Sequence, residues 1–197
     1  HRLAGAGLDE GLRSLVVSSC VQDDGKSTIA VNLARVMALA GQEVILIEGD
    51  LRRPRLKRLF NAGKNRPGLA QLLVGATSLE SALVNTPVPG LRVIFAGDSP
   101  PNPSELLGSS RLSELVKYLA ADHVVIIDAP PVLPVTDAVA LAEHVDGMLM
   151  IVRAGRTTSD QLRQAMTTLT RGGGKVIGLV LNQVAVSALG KFRYGGS

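Results

Sequence analysis

The apolar run Leu15-Val16-Val17-Ser18-Ser19 gives way to Cys20-Val21-Gln22-Asp23-Asp24-Gly25-Lys26-Ser27-Thr28, a glycine-lysine-hydroxyl turn. A turn of this kind, opening a helix, suits phosphates: backbone N–H groups converge there, a lysine reaches the outer phosphates and a hydroxyl reaches Mg²⁺. Lys26 and Ser27 fit those two parts. The pattern G-x-x-x-x-G-K-[ST] is met except at its first position, where Cys20 stands in place of glycine. Two further apolar runs end in acids, Val44 to Ile47 in Glu48-Gly49-Asp50 and Val124 to Ile127 in Asp128. Phosphoryl transfer needs a phosphate cradle, carboxylates that hold Mg²⁺ and a group near the incoming nucleophile; three such strand ends together suit that chemistry. Asp128 fits the metal-holding acid. Directly after Asp50 comes Arg52-Arg53-Pro54-Arg55-Leu56-Lys57-Arg58, the densest positive charge in the chain and a candidate clamp for phosphate or an acidic peptide.

These groups converge only if parallel strands carry them to one edge of a sheet, where open α/β sheets bind ligands. The pattern predicts strands at Leu12 to Ser19, Val44 to Ile47, Leu91 to Phe95, Val124 to Asp128, Gly147 to Val152 and Val176 to Leu181. It predicts helices at Ser27 to Ala40, Ser109 to Ala121, Asp137 to Glu143 and Ser159 to Arg171. The first of these is expected to turn Ile29, Leu33, Val36, Met37 and Ala40 inward and to stop at Gly41. Asn61 to Gly68 reads as a polar surface excursion, with short helices after it at Leu69 to Leu73 and Leu79 to Val84. Gly97 to Pro103 can be neither helix nor strand, and Ser104 is expected to cap the next helix, with Glu105 in its first turn. The alternation gives an α/β fold, a doubly wound and mostly parallel sheet flanked by helices. Residues 1–184 are expected to form one domain and 185–197 a flexible tail.

Composition agrees. The chain is 46% apolar but only 3% aromatic, which suits an aliphatic parallel sheet buried on both faces. One cysteine excludes an internal disulfide and fits a reducing, cytoplasmic setting. No apolar run approaches the ~20 residues that span a bilayer, and the start lacks a signal-peptide layout. A net charge of +4 without interleaved aromatics argues against nucleic acid as a partner.

Five stretches carry a family likeness: Asp24-Gly25-Lys26-Ser27-Thr28, Ile45 to Pro54, Pro100-Pro101-Asn102-Pro103-Ser104-Glu105-Leu106-Leu107, Val125 to Pro131, and Val180-Leu181-Asn182. Together they resemble the cytoplasmic kinase domain of the bacterial tyrosine kinases of capsular and exopolysaccharide synthesis. The likeness runs from about Leu12 to Val184, and the proline-rich stretch is its most specific part, since related partition ATPases do not usually carry it. The resemblance implies a P-loop fold and ATP-dependent tyrosine autophosphorylation that regulates polysaccharide polymerisation and export. It implies ATP and Mg²⁺ on Lys26, Ser27 or Thr28, Asp50 and Asp128, with Asp24 and Gly25 in the cradle and Asn182 beside the adenine. Glu48 to Arg53 would stand near the tyrosine hydroxyl, making Glu48 and Asp50 catalytic with Lys26 and Asp128. The basic cluster, Arg52, Arg53, Arg55 and Arg58, would guide an acidic tail. The implied partner is a membrane-embedded polysaccharide co-polymerase, fused or separate, at the inner face of the membrane, with homo-oligomers formed through an upstream segment.

The chain departs from that family in three places. The family loop reads Pro-Gly-acid-Gly-Lys-Ser where this one reads Gln22-Asp23-Asp24-Gly25-Lys26-Ser27, so Asp23 takes a position suited to positive φ and sets a charge toward the phosphates. The first aspartate of the second motif is Glu48, longer by one methylene. The tail tyrosine cluster is reduced to Tyr194, the expected phosphoacceptor in trans; Tyr118 is expected to be shielded by its helix. Two alternatives therefore stand beside the kinase: a partition-type ATPase switch, and an ATP-binding regulatory module without catalysis.

Overall fold

The computed structural model describes residues 11–63 and 66–185. Among them, seven strands form one sheet: β1 (Ser14–Ser19), β2 (Val44–Glu48), β3 (Leu83–Asn85), β4 (Leu91–Ile94), β5 (Val124–Asp128), β6 (Gly147–Arg153) and β7 (Val176–Asn182). Their order is β3-β4-β2-β5-β1-β6-β7, and every pair is parallel except β3 with β4. β1, β2 and β5 are buried at every residue, which is why their sequences are nearly unbroken apolar runs.

Helices cover both faces. On one, α1 (Lys26–Leu39) sets Ala30, Val31, Ala34 and Ala38 against Val17, Leu46 and Ile126, and α2 (Leu56–Leu59) adds Leu56. On the other lie α3 (Leu69–Leu73), α4 (Leu79–Ala82), α5 (Pro103–Leu107), α6 (Ser110–Ala120), α7 (Asp137–Ala142) and α8 (Ser159–Arg171). Their Leu69, Leu107, Leu112, Leu141 and Leu169 pack with Val16, Ile47 and Ile127. The doubly wound α/β architecture is the one expected. Among the described residues, no helix is long and apolar enough to cross a membrane.

Several local expectations are corrected. α1 buries Ala30, Val31, Ala34 and Ala38; of the side chains expected inward, Ile29, Leu33 and Met37 are half-buried against the same cluster, whereas Ala40 is exposed and Val36 is 64% exposed. The helix expected over Leu79 to Val84 ends at Ala82, because Leu83–Asn85 pairs antiparallel with β4. The helix expected to begin after Ser104 begins at Pro103 with Asn102 as its N-cap; proline needs no partner for its absent N–H at a first helical position. α2 lies within the basic cluster, where no helix is expected. α6 turns Leu112, Val116 and Leu119 inward, leaving Tyr118, about 100° around the helix from Leu119, 71% exposed rather than shielded. Of the expected tail, only Ala185 is described; Tyr194 lies outside the described residues.

Candidate active site

The C-terminal ends of β1, β2 and β5 meet because the register sets Val17 and Glu48 on either side of Asp128. Above them opens a cavity of about 250 Å³, lined by Gly25, Lys26, Ser27, Thr28 and Asp50, among others, and walled by arginines. One edge is the loop from Cys20 to Gly25. Gly25 holds φ at 95°, and a Cβ there would fall 2.2 Å from Asn182 Nδ2 at the end of β7. Only glycine permits both that backbone and that approach. The same Nδ2 donates to the Asp24 carbonyl at 2.9 Å, so the last strand pins the loop from outside. Asp24 is fully buried, its Oδ2 accepting from Thr157 Oγ1 at 3.1 Å.

Lys26 folds down between two acids, its Nζ 3.0 Å from Asp50 Oδ2 and 3.4 Å from Asp128 Oδ1. Ser27 Oγ is also 3.4 Å from that nitrogen. Lys26, Ser27, Asp50 and Asp128 are each over nine-tenths buried, so they interact with little screening. Burial pushes the Asp128 carboxyl above its ordinary range, with the Lys26 charge and the Ser27 hydroxyl opposing it. The β2 chain turns sharply here: Gly49 and Asp50 both donate N–H to the Asp128 carbonyl, at 2.9 and 3.1 Å. Asp50 lines the cavity, whereas Asp128 lies beneath it.

The donor set suits a hard divalent cation. Two carboxylates and a hydroxyl already surround a single positive charge, and oxygen ligands of this kind hold Mg²⁺ when phosphate oxygens and water complete the shell. Among the described residues, no group of three or more His, Cys, Asp or Glu could hold a metal by itself.

Glu48 is placed elsewhere. It is fully buried, with Oε1 accepting the N–H groups of Arg55 at 2.5 Å and Leu56 at 2.6 Å, and Oε2 that of Ala96 at 2.9 Å. Burial raises its pKa against the pull of those three donors. The carboxylate ties the end of β2 to the start of α2 and to the chain just past β4, away from the cavity lining.

Asp23 adopts φ 64°, the left-handed backbone suited to its position. Its carboxylate turns to Arg55 Nη2 at 2.8 Å, and that bond and charge hold it below the usual carboxylate range. Arg53 donates its N–H to Asp50 Oδ1 at 3.0 Å and its guanidinium to Gln22 Oε1 at 2.6 Å. Arg58 lines the cavity, and Arg52 forks onto Asp137 at 2.8 and 3.1 Å. The expected arginines are thus brought together, two of them bonded to the phosphate loop. Cys20, the first residue of this loop, is fully buried, and burial and then Asp24 push its thiol up to about 11.

Three contributors are not legible as site residues in the sequence. Asp137 looks there only like the start of a helix, and Arg153, whose Nη1 donates to the Asp23 carbonyl at 3.3 Å, only like a residue beyond its strand. Thr157 gives no signal. A charged residue just past a parallel strand is the available cue for Arg153.

A family model described as the CobQ/CobB/MinD/ParA nucleotide binding domain matches residues 21–193. A tyrosine-protein kinase of Acinetobacter johnsonii, ptk, is 40% identical over 178 residues, which are 89% of this chain and 24% of that protein. The putative tyrosine-protein kinase CapB of Staphylococcus aureus is 33% identical over 184 residues, 93% of this chain and 80% of that one. The chain therefore spans about a quarter of the first relative and four fifths of the second. The solved kinase domain of the Escherichia coli tyrosine kinase ETK has a TM-score of 0.86 at 32% identity, covering 90% of this chain and 69% of that one.

Proposed function

Since this chain belongs to the CobQ/CobB/MinD/ParA nucleotide-binding family, and within it to the bacterial tyrosine kinases, we propose that it is an ATP-dependent protein-tyrosine autokinase acting in capsule or exopolysaccharide synthesis. The observation that carries the reading is the buried Asp50–Lys26–Asp128 cluster at the floor of a loop built for phosphates. A membrane polysaccharide co-polymerase, on a separate chain or fused to this one, is the partner this reading takes from its family.

In this reading the N–H groups of the loop from Asp24 to Thr28 hold the phosphates, and Lys26 swings from the acids to the outer ones. Ser27, Asp50 and Asp128 would hold Mg²⁺, which supplies charge neutralisation of the transferring group when bound. Asp50, the acid that lines the cavity, takes the proton from the acceptor hydroxyl as the phosphoryl group passes to that oxygen and ADP leaves. Asn182 fixes the loop from behind, and its contribution beside the adenine is part of the proposal. Arg53, Arg55 and Arg58 guide the phosphates or an acidic peptide. Glu48, on this geometry, serves by holding α2 and its arginines in place. Tyr194 is the acceptor, delivered from another molecule.

Incubation with Mg²⁺ and γ-labelled ATP tests the reading. Label on protein tyrosine supports it; release of free phosphate alone identifies a partition-type ATPase, and neither product identifies a binding module. The aspartate in the phosphate loop and the withdrawal of Glu48 from the cavity are what favour those alternatives.

A further inference from the structure

The proline-rich stretch contributes nothing to the cavity lining, yet one of its side chains joins a network that ends there. Ser104 Oγ donates to Asp137 Oδ1, and Thr136 Oγ1 reaches Ser104 Oγ at 3.3 Å. Arg52 closes on the same carboxylate, Nε to Oδ2 at 2.8 Å and Nη2 to Oδ1 at 3.1 Å, with Nη2 also 3.3 Å from Ser104 Oγ. Asp137 is fully buried, so it has no direct route to a substrate. The Arg52 side chain is 42% exposed and lines the cavity, and its Nη1 donates to no other group among the described residues.

Two parallel bonds fix both the position and the plane of a guanidinium, which a single contact leaves free to rotate. The direction of the fork matters too. Arg53 and Arg55 bond to Gln22 and Asp23 in the phosphate loop, whereas the hydrogen-bond partners of Arg52 are Asp137 of α7 and Ser104 of α5. Arg52 is therefore fixed from the α5 and α7 side of the cavity, while its charge still reaches Asp50 on the floor.

We infer that Asp137 is a positioning residue which, with Ser104, holds Arg52 so that its remaining N–H groups receive an acidic, tyrosine-bearing peptide. The Pro-Pro-Asn-Pro-Ser motif then has a physical role: Pro103 sets the first turn of α5, and that turn delivers Ser104 to the Asp137 carboxylate. The inference rests on the kinase reading for its substrate and on geometry alone for its positioning element.

The test compares wild type with Asp137→Asn, Ser104→Ala, Arg52→Gln and the Arg52→Gln/Asp137→Asn double variant. A random copolymer of glutamate and tyrosine is the acceptor, with ATP affinity measured separately by calorimetry. Phenylglyoxal modification of Arg52, read out by mass spectrometry, reports its restraint without any activity. Asp137→Asn and Arg52→Gln should each raise the copolymer KM about tenfold, as expected for one charge-assisted contact, and leave ATP affinity within about twofold. The double variant should be no worse than Arg52→Gln alone, and Arg52 should react faster with phenylglyoxal in Asp137→Asn. Additive effects, equal losses for ATP and copolymer, or an unchanged rate of Arg52 modification would overturn the inference. If Asp137→Asn fails to fold, Ser104→Ala removes one bond and should give a smaller shift in the same two readouts; no shift in either overturns it. Wild type that hydrolyses ATP without labelling tyrosine would refute the kinase reading and with it the peptide as ligand, while the modification rates still decide whether Asp137 holds Arg52.

Discussion

The Lys26 ammonium lies 3.0 Å from the Asp50 carboxylate, so the residue expected to meet the phosphates rests instead on an acid expected to hold the metal. One ammonium against the two carboxylates of Asp50 and Asp128 leaves an excess of negative charge there, which suits a cation. Lys26→Met should cost one charge-assisted contact to phosphate, about ten- to a hundredfold in ATP affinity by calorimetry. The same variant should bind Mn²⁺ without nucleotide more tightly than wild type, read by electron paramagnetic resonance. Equal ATP affinity in the two proteins would remove Lys26 from the site.

Asp128→Asn should damage turnover far more than nucleotide binding. The phosphates still find the loop, while the buried metal-side charge is gone. The ratio of kinase rate to ATP affinity, measured at limiting Mg²⁺, checks this. Full rates in the variant would make Asp128 a structural strand end.

Asp23→Gly should remove the left-handed strain of a non-glycine residue and free Arg55 from its ion pair. The expected outcome is tighter ATP binding and a lower KM for an acidic peptide, both shrinking as salt is raised. Calorimetry and peptide kinetics at two ionic strengths would show it. Weaker ATP binding in the glycine variant would mean that Asp23 helps to build the loop.

Cys20 gives a pH prediction. Its folded thiol titrates at about 11, above the ordinary value of 9.0, so the folded chain keeps a proton that the unfolded chain releases first. Stability from this group is fully present below the unfolded pKa and is lost as pH rises from about 9 towards 11. Melting curves of wild type and Cys20→Ala should converge over that window. Iodoacetamide at pH 8 should leave the native thiol unlabelled and react once the chain is unfolded; fast native labelling would contradict the buried placement.

Phosphopeptide mapping after autophosphorylation should find label at Tyr194, in a yield that rises with protein concentration because the reaction is between molecules. The exposed Tyr118 makes this a real choice between the chain's two tyrosines. Label confined to Tyr118 in wild type, or a yield independent of concentration, would refute delivery of Tyr194 in trans.

The sheet and the floor of the site are legible in the sequence because buried parallel strands announce themselves as apolar runs, and their ends as abrupt charge. Val124 to Asp128 shows both in five residues. What escapes depends on contacts far apart in the chain. Nothing near Arg52 says that its partner lies 85 residues on, and nothing near Glu48 says that Ala96 will donate to it. β3 escapes because three residues carry no periodicity and take their shape from β4. The face of α1 escapes because alanines look neutral in a pattern, although close packing on a sheet selects them.

The Asn182 amide that pins the phosphate loop is donated across 158 residues. Contacts that distant cost a large loop-closure entropy before they return any stabilisation, so they form late when a chain folds. The loop, encoded near the start of the described chain, thus gains this hydrogen bond only when β7 lies in the sheet beside β6. A nascent or partly refolded chain can own every phosphate-binding residue and still lack a competent cradle. In refolding experiments, nucleotide affinity is accordingly expected to appear only with completion of the far edge of the sheet.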